Sequence, residues 1–244
     1  MTPALTFATA ARVLRQLRHD HRTLALMLVL PCALIGLLAW IYRDTTVFDR
    51  IGAPLLGVFP FVVMFLVTSV ATLRERQSGT LERLMTTPLG KGDLLFGYAI
   101  AVGGVAVVQA VVATAFAVLV CGLDVAGSVW LLVAVCVAVA VLGTTLGLGV
   151  SAFASTEFQA VQFMPAIVLP QFLLCGLLVP RASLPSFLEA VSDVLPLSYA
   201  VDAMREVTTE TEAGPDVLRD LLVVAAFAVA AVAAGTLTLR RRTR

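Results

Sequence analysis

The chain has 244 residues, of which 59% are hydrophobic and 14% charged, with a mean hydropathy of +0.97. Soluble domains are nearer 45–50% apolar and about 25% charged, so this composition excludes a soluble globular protein and predicts an integral membrane protein. A net charge of +1 gives no basic surface for nucleic acid, and sixteen of the 17 basic residues are arginine, a bias that fits a GC-rich bacterial genome.

Residues 3–22 read as an amphipathic helix. Phe7, Ala10, Val13, Leu14 and Leu17 fall on one side, and Arg12, Arg15, Arg18, His19 and Arg22 gather on another. Thr2 and Pro3 suit the N-cap and first helical position. A helix of this pattern lies in the interface of an anionic leaflet. The first apolar run starts only after this arginine-bearing segment, with no evident cleavage site, so it reads as a span and not a signal peptide.

Six spans are predicted, at about 24–42, 54–73, 95–121, 129–153, 163–180 and 221–239. Each approaches the roughly 20 apolar residues needed to cross a hydrocarbon core. Pro31 and Pro60 predict kinks in the first two. Gly143 and Gly147 in the fourth have the spacing that lets helices approach closely. Pro165, Pro170 and Gln171 make the fifth irregular, and irregular backbone at membrane depth is buried in protein or lines a cavity. Thr68, Gln109 and Gln171 are the polar candidates for a substrate pathway.

The polar island at 74–88 stands between the second and third spans. It carries Arg74, Arg76 and Arg83 against Glu75 and Glu82, a turn at Gln77-Ser78-Gly79, and a short helical pattern with Leu81, Leu84 and Met85 on one side. Such a helix suits a groove on a partner. An ordinary solvated loop is the alternative. Further on, Leu184, Phe187, Leu188, Val191 and Leu195 recur at helical spacing between Pro180 and Pro196, an amphipathic helix too short to span. Residues 202–220 read as a polar segment.

With the N-terminus in the cytoplasm, twelve of the 17 basic residues fall on the inner side, as the positive-inside rule requires. Both termini and the 74–88 island are then cytoplasmic. The four cysteines are scattered through apolar runs and His19 and His21 lie far from them, so no metal site is predicted. No phosphate-loop motif is present: Gly90-Lys91 is followed by Gly92, and Met85 stands where the motif needs glycine. Neither HExxH nor GxSxG occurs, so no catalytic residue is assigned. The predicted spans hold no Asp, Glu, Lys, Arg or His, which counts against an ion-coupled carrier.

Glu75-Arg76-Gln77-Ser78-Gly79-Thr80-Leu81-Glu82-Arg83-Leu84, with Thr87-Pro88, resembles the first cytoplasmic loop of type-2 ATP-binding-cassette (ABC) transporter permeases. A second match covers Gly176-Leu177-Leu178-Val179-Pro180, Leu184-Pro185, and Leu195 to Ala200 with Asp202 to Arg205. The resemblance extends over nearly the whole chain. It implies an all-α membrane protein, with an N-terminal interfacial helix (1–23) and a six-span domain (24–244). That domain carries a cytoplasmic coupling helix and an outer re-entrant hairpin. Glu75, Gly79, Thr80, Glu82, Arg83 and Leu84 would dock a nucleotide-binding subunit. Pro180, Leu184, Phe187 and Pro196 would form the hairpin. ATP and Mg would be bound by that partner, with no cofactor in this chain. A second copy or a related permease would complete the transporter in a bacterial inner membrane. Efflux of drugs, antibiotics or amphipathic molecules is the leading function, and export of a lipid-linked glycan or lipid the alternative. An ion-coupled carrier and a non-transporting scaffold are the readings from other classes.

Overall fold

The computed structural model describes residues 3–43, 46–77, 91–212 and 214–238. Among these residues there are nine α-helices and no strand. They are α1 (Pro3–His19), α2 (His21–Ile41), α3 (Val47–Gln77), α4 (Lys91–Leu119) and α5 (Val129–Ser151). Then follow α6 (Glu157–Leu174), α7 (Ser186–Val194), α8 (Pro196–Thr209) and α9 (Pro215–Thr238).

Local chemistry sets the boundaries. Asp20 is all that separates α1 from α2. Its carboxylate accepts from the Thr23 amide at 3.1 Å and the Thr23 hydroxyl at 2.6 Å, filling the orphan donors at the start of α2. These hydrogen bonds hold the Asp20 carboxyl below the usual range. Thr156 caps α6 in the same way, accepting from the Gln159 amide at 3.2 Å. Pro31, Pro54 and Pro60 all lie inside helices.

Five helices are long and apolar enough to cross a membrane: α2, α3, α4, α5 and α9. The expected fifth span, 163–180, is corrected. Residues 163–180 are not one helix: α6 runs from Glu157 to Leu174, and 175–179 leave helical geometry. The earlier start brings Glu157, Gln159 and Gln162 into its first turns and lowers its hydropathy. The segment 202–220 is corrected as well. Its first half belongs to α8, whose Leu197, Ala200, Val201, Met204 and Val207 are buried. Helices α3 and α9 also begin several residues before the expected spans, at Val47 and Pro215.

Helices α3 and α5 form the centre of the packing. Gly143 and Gly147 of α5 face the backbone of Phe61 and Phe65 in α3; a Cβ on Gly147 would lie 2.5 Å from the Phe65 carbonyl oxygen. The GxxxG spacing is therefore spent on a contact within the chain. Phe61, Leu56, Leu142, Leu197 and Met204 fill the main core around this seam. Helix α1 lies against α4. Its apolar stripe divides: Ala10 and Val13 are buried, while Phe7 stays 64% exposed and Leu14 is also exposed. The bundle thus has a loop end, where α3 stops before residues 78–90, and a hairpin end, where α6 gives way to α7 and α8.

Candidate functional site

At the loop end, the last turns of α3 are tied to two distant parts of the chain. Arg12 of α1 reaches Glu75 at 3.2 Å and places its guanidinium over the Tyr98 ring, 6.0 Å from the centroid. Arg74 makes two parallel bonds to Glu157 of α6, at 2.7 and 2.9 Å, the geometry in which a guanidinium best fits a carboxylate. These bonds hold the Glu157 carboxyl below its usual range. Gln77 donates to the Ser155 carbonyl at 2.8 Å. The departure point of the 78–90 segment is therefore fixed to α1, to α6 and to the turn before α6. Of the residues expected to dock a partner, Glu75 is part of this clamp. Gly79, Thr80, Glu82, Arg83 and Leu84 lie outside the described residues.

At the hairpin end, the chain leaves α6 through Gly176, whose φ of +88° is readily adopted only by glycine. Arg205 of α8 donates to the Gly176 carbonyl at 2.6 Å. Arg181 pairs with Asp193 of α7 and Asp202 of α8 together, and stacks over Tyr199 at 5.6 Å. Burial pushes the Asp202 carboxyl up, against the opposing pull of Arg181. The Tyr199 hydroxyl donates to the Asp193 carbonyl at 2.6 Å, and the Ser192 hydroxyl to the Leu174 carbonyl at 2.8 Å. Of the residues expected here, Pro196 is buried at the start of α8, Leu184 is half-buried, and Pro180 and Phe187 are exposed. The residues that hold the hairpin together are Arg181, Ser192, Tyr199, Asp202 and Arg205. Tyr199, Asp202 and Arg205 fall within the second family match without an individual role, and Arg181 and Ser192 lie outside it. The signal was the apolar period Leu197, Ala200, Val201, Met204 and Val207 behind the charges.

The three polar pathway candidates do not come together. Thr68 lines a cavity of about 510 Å³ between α1, α2, α3, α4 and α6. Gln109 donates from α4 to the Met27 carbonyl of α2 at 2.7 Å, a bond between helices. Gln171 bonds back along its own helix to Ile167 at 3.3 Å. Among the described residues no group of three or more His, Cys, Asp or Glu is placed to hold a metal. Cys136 is buried in the main core.

The sequence is similar to those of known proteins. The family model described as ABC-2 type transporter matches residues 4–208. "ABC transporter G family member 20" of Dictyostelium discoideum is 26% identical over 159 residues, covering 65% of this chain and 22% of that protein. Two Escherichia coli proteins are similar as well. "Probable multidrug ABC transporter permease YbhR" is 27% identical over 153 residues, covering 63% of this chain and 42% of that protein. "Probable multidrug ABC transporter permease YbhS" is 27% identical over 147 residues, covering 59% and 38%. These matches span less than half the length of each relative. The family model takes in both ends of the bundle, the clamp at Glu75 and the hairpin through Thr208, and the chain belongs to the ABC-2 type transporter family.

Proposed function

We propose that this chain is the permease subunit of an ATP-driven exporter in a bacterial inner membrane, with both termini in the cytoplasm. A separate nucleotide-binding subunit, holding ATP and Mg, receives the 74–88 element in a groove. A second permease, identical or related, completes the transporter. The observation that carries this reading is the clamp at the loop end. Arg12–Glu75, Arg74–Glu157 and Gln77–Ser155 fix both sides of the point from which the segment departs. A rigidly rooted lever transmits displacement into α3, and α3 is packed along α5 through the core. Movement of a docked ATPase would then repack the bundle and change which side its cavity faces.

The names of the two E. coli relatives support efflux of drugs as the function, and the apolar cavity walls suit amphipathic or lipid-like cargo. Export of a lipid-linked glycan is the second reading within the same class, supported by the apolar walls of the cavity beside α1. The test is co-purification of the tagged chain from its host. A stoichiometric ATPase with vanadate-sensitive hydrolysis is expected, and Glu82→Arg or Leu84→Asp should abolish transport while the protein still inserts. A chain that elutes alone and transports without ATP would overturn the reading. Ser186→Cys should be labelled only from outside; labelling only from the cytoplasm would invert the topology.

A further inference from the structure

We propose that the cavity at the loop end is a binding site for one uncharged amphiphile: an apolar chain bearing a hydroxyl, ester or amide group. Its volume of about 510 Å³ lies within the 300–1,000 Å³ range of small-molecule sites. Leu26, Met27, Leu66, Val67, Val102 and Val161 give it apolar walls. Three of its lining residues, Thr68 and Thr72 of α3 and Tyr98 of α4, carry buried hydroxyls with no hydrogen-bond partner among the described residues. Thr68 and Tyr98 are only 2% and 5% exposed. Buried hydroxyls are normally paired, so three unpaired ones among the lining residues, two on α3 and one on α4, mark places where a polar group is missing.

The hydroxyls lie within the wall, closed off from the cavity space. Binding therefore needs a small movement. Threonine in a helix has two accessible χ1 rotamers, and rotation that exchanges hydroxyl and methyl turns a donor toward the cavity without moving the backbone, while the Tyr98 hydroxyl needs a displacement of the side chains that cover it. The charges at the rim select against a charged ligand because each is already engaged. Arg74 holds Glu157, Arg12 holds Glu75, and Asp20 caps α2 through Thr23. An ion entering the cavity would leave water without gaining a counter-charge. A neutral group with both donor and acceptor capacity matches hydroxyls, which are both. The proposal concerns the cavity that the exporter reading also uses, but its test reads binding to the chain alone, so failure of binding and failure of ATP-driven export are separate results.

The test is binding of radiolabelled 1-decanoylglycerol to the purified full chain in phosphatidylcholine nanodiscs, with decanoate and decylamine as charged counterparts. Saturable binding of about one molecule per chain is expected, tighter than either charged analogue. Thr68→Val and Tyr98→Phe should each weaken it roughly two- to ten-fold, the worth of one hydrogen bond. Thr208→Val, at the hairpin end, should leave it unchanged. Ala71→Leu, at an exposed lining position, should block it while every hydroxyl remains. Dioleoylglycerol built into the nanodisc separates two sources. Displacement by it assigns a bilayer lipid as occupant; absence of displacement assigns an amphiphile arriving from water. The proposal is overturned if no saturable binding occurs, if decanoate or decylamine binds more tightly, or if Thr68→Val and Tyr98→Phe bind as the parent does. A cavity that holds only water gives the first of these results.

Discussion

The two ends of the bundle are held by different physics. At the hairpin end, short elements separated by few residues fold onto one another. Arg181 joins Asp193 and Asp202 across 12 and 21 residues, and Arg205 closes onto Gly176. At the loop end the ties are between remote segments: Arg12 to Glu75 spans 63 residues and Arg74 to Glu157 spans 83. The first arrangement builds a plug with a buried helix inside it. The second leaves a cavity with unpaired hydroxyls and a segment anchored at its root. A self-contained plug at one end, and at the other a root that ties α3 to α1 and α6, suit a protein whose moving input arrives at the loop end.

The largest expected effect comes from the seam that connects the two ends. Gly147→Leu drives a side chain into the Phe65 carbonyl and must push α5 off α3. Overpacking of this kind costs roughly 1–3 kcal/mol or more, and a branched side chain against backbone belongs at the upper limit. Thermal unfolding in detergent should show loss of a cooperative transition. A parental transition would mean that the two helices separate freely, and that the ends are not mechanically joined.

Arg205→Met is the next largest. It keeps the bulk of the side chain but leaves the buried Gly176 carbonyl without its charged donor, a loss of roughly 1–3 kcal/mol. Arg181→Met should cost a similar amount by leaving two carboxylates facing one another. If either variant unfolds at the parental temperature, the hairpin end is held by its apolar face alone, and the contrast between the ends weakens. Removing a cap at the loop end should cost less. Thr156→Ala exposes the first amides of α6 and should destabilise by about 1 kcal/mol.

These contrasts explain what the sequence could disclose. Uninterrupted apolar runs such as 24–41 and 129–151 reveal their helices directly, because hydrocarbon demands a closed backbone. Helix α3 is longer than its apolar run, since Asp49 and Arg50 extend it beyond the region where charge is costly. Helix α8 was masked by Asp202, Arg205 and Glu206, which sit on one side of a helix whose other side is core. The coupling-loop motif was legible as a pattern of residues. Its anchoring was not, because nothing local in Arg12 or Glu157 announces a partner more than sixty residues away. Thr68 was legible as a polar residue in a span, but its grouping with Tyr98 depends on how α3 meets α4.

The smallest stability effect is expected at Arg74, and it is the most discriminating. The Arg74 and Glu157 side chains are 63% and 43% exposed, so their attraction is screened and offset by the entropy of fixing two long chains. Arg74→Ala should leave the unfolding temperature within error of the parent at neutral pH. Any contribution of the pair follows the Glu157 carboxyl, which its bonds to Arg74 hold below the ordinary value of 4.5. A depressed carboxylate stabilises the fold above that value, and the contribution fades as pH falls through the lower folded pKa. The parent and Arg74→Ala should therefore converge in acid, with any difference confined to the range above it. If the pair instead serves to root the 78–90 segment, the same variant should slow ATP-driven transport severalfold at neutral pH while stability is unchanged. Glu157→Arg in the Arg74→Glu background, which restores the pair with its charges exchanged, should recover that transport. Failure of the exchanged pair to recover it, with the single variants impaired, would show that Arg74 acts through some contact other than Glu157.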